Sequence, residues 1–159
     1  MASTWLVRAD SGGRLAPEFK SKSLVAIGWI EAGNTLDLVS REAFFQRMKE
    51  AYPEDSKPKQ HNAAGQVFRF VRELQIGDQI VTYDNARRNY LVGRITSTAQ
   101  YDAGLFNGEF STFRQVEWKH EVSRDALTLK AKNSLGSTLT LFKVPAESIA
   151  EIEALIGGG

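Results

Sequence analysis

Residues 62–84 read NAAGQVFRFVRELQIGDQIVTYD, and three kinds of pattern follow one another inside them. Val67, Phe70, Val71 and Leu74 recur at helical spacing. That predicts an amphipathic helix from about Lys59 to Leu74, with Gln66, Arg69, Arg72 and Glu73 on its polar face. Ile76-Gly77-Asp78 breaks the period, because glycine accepts turn conformations that other residues resist. QIVTYD (79–84) is then rich in β-branched and aromatic types and reads as a strand. The helix's apolar face needs a sheet to cover it, and Ile27, Ile80, Leu91 and Ile95 are the expected partners.

Outward from this stretch, the loop NARRN (85–89) leads into an apolar run over 90–98, a β-hairpin with a basic tip. Residues 113–122 alternate as another strand, with Val116 and Trp118 on one face and Glu117 and Lys119 on the other. Residues 139–144 read as a last strand, and Ile149, Ile152 and Leu155 mark a short final helix. Upstream, Ser40 is a good N-cap for a helix that buries Phe44, Phe45, Met48, Ala51 and Tyr52 and stops at Pro53. LVAIGWI (24–30) reads as a buried strand, and 4–9 as an opening strand ended by the turn Asp10-Ser11-Gly12-Gly13. The order β-β-α-α-β-β-β-β-α clusters its strands. It predicts an α+β fold, a small curved mixed sheet or pseudo-barrel flanked by helices, with residues 1–156 as one domain and 157–159 as a glycine tail.

Composition narrows the function. Of 159 residues, 42% are hydrophobic and 25% charged, which is globular usage. With no cysteine, disulfides, thiol nucleophiles and cysteine-ligated zinc are excluded. No apolar run is long enough to span a bilayer, so a cytoplasmic protein is expected. His61 and His120 lie in different elements, and no H-E-x-x-H, G-x-S-x-G or G-x-x-x-x-G-K-[ST] string occurs. The turn at 10–13 lacks the lysine and the following helix of a phosphate loop. Neither catalysis nor a metal or cofactor is expected.

The 20 basic residues against 19 acidic ones argue against a protein that coats nucleic acid indiscriminately. Between residues 56 and 94, however, seven basic residues face three acidic ones. Arg69, Arg72, Arg87 and Arg88 are the candidate phosphate-binding groups, with Arg8, Arg14, Lys20 and Lys22 next. Trp29 and Tyr83 each end an apolar strand beside polar or basic loop residues, a setting that suits the walls of a base pocket. Trp118 is a third candidate. Asn62 and Asp84 are nominated for the polar edge of the base, since an amide both donates and accepts and a carboxylate accepts from amines. Core packing competes for each of these aromatics.

Three stretches resemble the PUA-like superfamily, in particular its EVE and YTH branches. Trp5-Leu6-Val7-Arg8-Ala9 is similar to the W-L-[IV]-[KR]-A opening strand of EVE domains. Residues 62–84 resemble the EVE segment in which an asparagine and a basic helix lead to a G-D turn and a strand ending in tyrosine. Leu91-Val92-Gly93-Arg94-Ile95, Tyr101 and Val116-Glu117-Trp118 follow in that family's order. A closer resemblance, over about residues 4–144, is to the N-terminal domains of Mrr-like modification-dependent restriction endonucleases. They share W-L-V-R-A, V-x-I-G-W and F-V-x-E-[IL]-Q-[IV]-G-D strings. The acidic helix at 40–52 and the arginine-poor segment 133–138 depart from that pattern.

The resemblance implies a non-enzymatic module that flips a modified base out of double-stranded DNA, as the specificity part of a phage-defence restriction system. A fused C-terminal nuclease would supply the cleavage. An RNA-binding PUA-like domain and a protein-interaction or small-nucleotide sensor domain are the alternatives.

Overall fold

The computed structural model describes residues 2–10 and 13–158; Ser11 and Gly12 of the expected turn, and Gly159 of the tail, lie outside the described residues. The strands are β1 (Thr4–Val7), β2 (Leu24–Ile27), β3 (Gln79–Asp84), β4 (Asn89–Ile95), β5 (Gln100–Tyr101), β6 (Thr112–Ser123) and β7 (Leu141–Lys143). The α-helices are α1 (Ala16–Lys22), α2 (Arg41–Ala51), α3 (Lys57–Phe68), α4 (Leu129–Leu135) and α5 (Ala146–Gly158). The strands join in the order β2-β6-β4-β3-β1-β7, with β5 paired to β6. Only the β1–β3 pairing is parallel among the described residues, so the sheet is mixed and the fold is α+β.

An apolar cluster lies on each face. Phe19, Phe44, Met48, Val67, Phe70 and Leu74 meet Ile27, Ile80, Leu91 and Ile95 on one side. On the other, Ala131, Leu135 and Ile152 of α4 and α5 cover Leu6, Val81, Tyr90, Val92 and Val122. The hairpin keeps β3 and β4 in strict register from Gln79↔Arg94 to Asp84↔Asn89, which explains the change of face at every residue along it. Ser40 and Ser56 cap α2 and α3 by accepting from the Ala43 and Lys59 N–H groups.

Four expectations change. The run LVAIGWI is strand only to Ile27. Gly28 leads into Trp29 in the left-handed region (φ 53, ψ 47), and a 3-10 turn over Ile30–Ala32 follows. The helix of 59–74 is α only to Phe68 and widens into a π turn over Arg69–Glu73. Arg114, only 3% exposed, braces it with a guanidinium that donates to the carbonyls of Phe70, Leu74 and Ser97. Burial lowers its pKa to about 10. The wider turn leaves Val71 only partly buried, whereas Phe70 and Leu74 stay inside. The alternation of β6 is broken by an extra residue, because Gly93 faces Trp118 while Val92 faces His120, leaving Lys119 bulged. Trp118 therefore stays with Val116, while Val122 crosses to the α4–α5 face. Finally, α1 and α4 are seven-residue helices too short to leave a periodic signal.

Gly93 makes the bulge possible. A Cβ there would lie 2.4 Å from the Glu117 carbonyl oxygen. Gly13 (φ +73) similarly lets the loop after β1 press onto β3, where a Cβ would strike the Tyr83 carbonyl.

Candidate nucleic-acid interface

The residues just past the C-terminal ends of β1 and β2 line one cleft of about 290 Å³. Arg8 and Asp10 follow β1, Gly28 and Trp29 follow β2, Phe110 precedes β6 and Thr140 precedes β7. Two of the six, Asp10 (φ 65) and Trp29 (φ 53), hold left-handed backbone without being glycine. Such a conformation costs a non-glycine residue roughly 1–2 kcal/mol and persists only where surroundings over-determine it, which points to a site. The Phe110 ring lies beneath Gly28, 3.7 Å from where a Cβ would stand. The Arg14 Nε donates to Asp10 Oδ2 at 2.9 Å, and Arg14 also reaches Glu109 at 3.6 Å. Arg8 donates to the Thr138 carbonyl at 3.1 Å. The cleft thus pairs aromatic walls with one acidic and one basic side chain at its mouth.

Two further clefts each share a lining residue with this one. Arg8 also lines a pocket of about 180 Å³ that contains Tyr83, Leu6 and Gly136. Trp29 also borders a groove of about 380 Å³ along α3, formed with Asp55, Pro58, Lys59, Asn62 and Gln66.

The structure separates the residues nominated for one pocket. Trp29 and Asn62 share the α3 groove, while Tyr83 lines the pocket beyond Arg8 and packs on Tyr90 at 4.8 Å between ring centroids. Asp84 is 3% exposed, and its Oδ1 accepts from the Arg87 N–H inside the hairpin turn. Trp118 packs against the core and donates its indole N–H to the Phe19 carbonyl at 3.0 Å.

Three of the four nominated arginines hold internal partners. Arg72 donates to the carbonyls of Leu36 and Leu38. Arg88 pairs with Asp125, and Arg87 lies 3.8 Å from Glu121. Arg69 is half-buried beside Gly65. Among the four reserve cations, Lys20 pairs with Glu121 and Lys22 lies over the Phe106 ring, while Arg8 and Arg14 stand at the cleft.

Asp10, Phe110 and Thr140 were not anticipated. Asp10 looks like turn punctuation, and Phe110 sits in the irregular stretch LFNGEF, where an aromatic pair flanking Asn-Gly was the available signal. Among the described residues, no group of three or more acidic or histidine side chains is placed to hold a metal ion. No helix there is long and apolar enough to cross a membrane.

Comparisons with known proteins support the fold. The chain is similar to the YTH domain of the Zygosaccharomyces rouxii MRB1 protein, solved in complex with N6-methyladenosine RNA. The TM-score is 0.51 at 13% identity, covering 97% of this chain and 86% of that one. It is also similar to the Mmi1 YTH domain, with a TM-score of 0.50 at 8% identity over 99% of this chain and 89% of the other. At such identities the likeness is one of fold: the curled mixed sheet with flanking helices has the architecture of those YTH domains. No curated protein matches the chain. One family does match, over residues 5–144, from the first core tryptophan to the end of β7, and the chain therefore belongs to that family, the domain of unknown function DUF8426.

Proposed function

We propose that this chain is a reader module that takes one modified base out of a nucleic-acid strand and holds it between Trp29 and Phe110. The observation that carries this reading is the left-handed Trp29 at the mouth of a cleft whose other wall is Phe110 and whose polar groups are Arg8, Asp10 and Thr140. Stacking on an aromatic platform is worth ~1–3 kcal/mol per base, enough to offset an unstacking cost of a few kcal/mol when polar contacts add to it. A methyl group buried against the rings adds ~0.8 kcal/mol, a margin that separates modified from plain base. Asp10 is an acceptor suited to an exocyclic amine, and Arg8 is a cation suited to the adjoining phosphate. All of this is binding chemistry, and the module needs no catalysis of its own.

DNA is the proposed strand, on the resemblance of residues 4–144 to the reading domains of modification-dependent restriction enzymes. In that setting a separate nuclease domain cuts the site that this domain marks. RNA is the second reading, favoured by the fold's likeness to a domain solved with N6-methyladenosine RNA.

Matched DNA and RNA oligonucleotides test the proposal, each carrying cytosine, 5-methylcytosine, 5-hydroxymethylcytosine, glucosylated hydroxymethylcytosine, adenine or N6-methyladenine. One modified probe should bind at least about fivefold tighter than its plain counterpart, with the preference lost in Trp29→Ala. Equal affinity for all probes, or none for any, overturns the reading. A preference confined to RNA replaces the DNA assignment.

A further inference from the structure

We infer that the groove on the α3 side of Trp29 seats the nucleotide next to the flipped one, and that Asn62 selects a neighbour with a carbonyl at purine C6 or pyrimidine C4: guanine, thymine or uracil. The inference rests on the reader function proposed above and adds sequence context to it.

The argument starts from a backbone group that can only donate. Leu141 N–H, in β7, gives its hydrogen bond to Gln66 Oε1 at 3.0 Å. Gln66 is only 6% exposed, so its amide is fixed with the oxygen toward β7 and the nitrogen away from it. That nitrogen donates to Asn62 Oδ1. An ordinary surface asparagine can turn its amide over and offer either end to a ligand. Asn62 cannot, because turning would set two N–H groups against each other. Its oxygen is held toward Gln66, and Nδ2, a pure donor, is the end left for the groove that Asn62 lines.

The rest of the groove suits a nucleotide. Trp29 borders both this groove and the cleft that holds Phe110, so one indole separates the two seats. Pro58 and Ala63 supply apolar lining. Lys59 lies one turn before Asn62 on the same side of α3, exposed and 3.4 Å from Asp55. It places a cation where a backbone phosphate would pass. A fixed donor donates to O6 of guanine or O4 of thymine and uracil, and meets a like group in the N6 amine of adenine or the N4 amine of cytosine.

The probes are single-stranded and duplex DNA, and RNA, carrying each modified base of the panel above with all four bases varied on each side. Fluorescence anisotropy reads affinity. On one flank, guanine and thymine or uracil should bind about fivefold or more tighter than adenine and cytosine. Asn62→Asp keeps the acceptor for Gln66 but turns the groove-facing end into an acceptor, and the flank preference should reverse. Asn62→Ala should level it. In both variants the ratio of modified to plain base should stay within twofold of wild type.

A flat flank profile in the wild type, or an unchanged profile in both variants, overturns this inference while leaving the reader function standing. A changed modified-to-plain ratio also overturns it, by assigning Asn62 to the flipped base. Failure to bind any probe overturns the reader function and this inference with it.

Discussion

The indole nitrogen of Trp5 donates to Asp78 Oδ2 across 3.1 Å of the buried junction between β1 and the turn before β3. The same carboxylate accepts from the backbone N–H groups of Ser3 and Gln75. Asp78 is 6% exposed, so its removal strands three donors in a region that water reaches poorly. Asp78→Ala should lower stability by ~2–4 kcal/mol in urea unfolding. A loss below about 0.5 kcal/mol would show that water satisfies those donors.

Phe70 is fully buried on the helical side of the sheet and belongs to the π turn that Arg114 braces. Phe70→Ala should cost ~3–5 kcal/mol, the usual range for an enclosed ring. Phe68, only partly buried, should cost clearly less when truncated in the same way.

Trp29 offers a test of sign. At most positions glycine is less stable than alanine by ~0.5–1 kcal/mol. At φ 53 the order should invert, with Trp29→Gly more stable than Trp29→Ala by ~1 kcal/mol. Both variants should lose modified-base preference equally. Alanine as the more stable of the two would mean that the left-handed turn is not held in solution.

Glu121 joins three elements, accepting from Lys20 of α1 at 2.9 Å and from Asn89 of β4 at 2.8 Å, with Arg87 of the hairpin loop at 3.8 Å. The Lys20 hydrogen bond, and after it the one from Asn89, holds its carboxyl below the ordinary value of 4.5. A depressed folded-state pKa contributes stability that is full above the unfolded value. That contribution disappears as pH falls from 4.5 through the lowered one. Glu121→Gln should therefore flatten part of the acid limb of the stability curve and leave the limb above pH 6 parallel to wild type. Superimposable acid limbs would count against the network.

Arg8 stands where the Trp29 and Tyr83 clefts meet. Arg8→Ala should weaken every oligonucleotide by a similar factor and reduce the slope of log affinity against log salt by about one unit or less. An effect confined to modified probes would make Arg8 a base contact instead.

The elements legible in the sequence are those whose signals are local. Ser40 caps its helix ahead of the apolar stripe. The β3–β4 arms alternate around a polar tip, and Val67, Phe70 and Leu74 keep one inward stripe. What stayed hidden depends on distant partners. The π turn is braced by Arg114, forty residues downstream of Leu74, which donates to the Leu74 carbonyl. The left-handed Trp29 is invisible in an apolar run, where every hydrophobic residue looks like strand. The cleft itself draws on four chain segments, so Trp29 was nameable as an aromatic at a strand end while Phe110 and Thr140 were not. Asn62 was nameable for its chemistry, but its fixed orientation comes from Leu141.

β1 has no local partner. Its parallel neighbour begins at Gln79 and its antiparallel one at Leu141, with Trp5 set opposite Ile80 and Lys143. During synthesis the first strand therefore waits with both edges bare until β3 has emerged, and with one edge bare until β7 follows. The last pairing to become available, β7 on β1, also delivers the Leu141 N–H that orients Asn62 through Gln66. Such long-range closure slows folding. It also makes the α3 groove a feature acquired at the end of assembly, so stopped-flow refolding should show the core tryptophan signal of Trp5 arriving in the slowest phase.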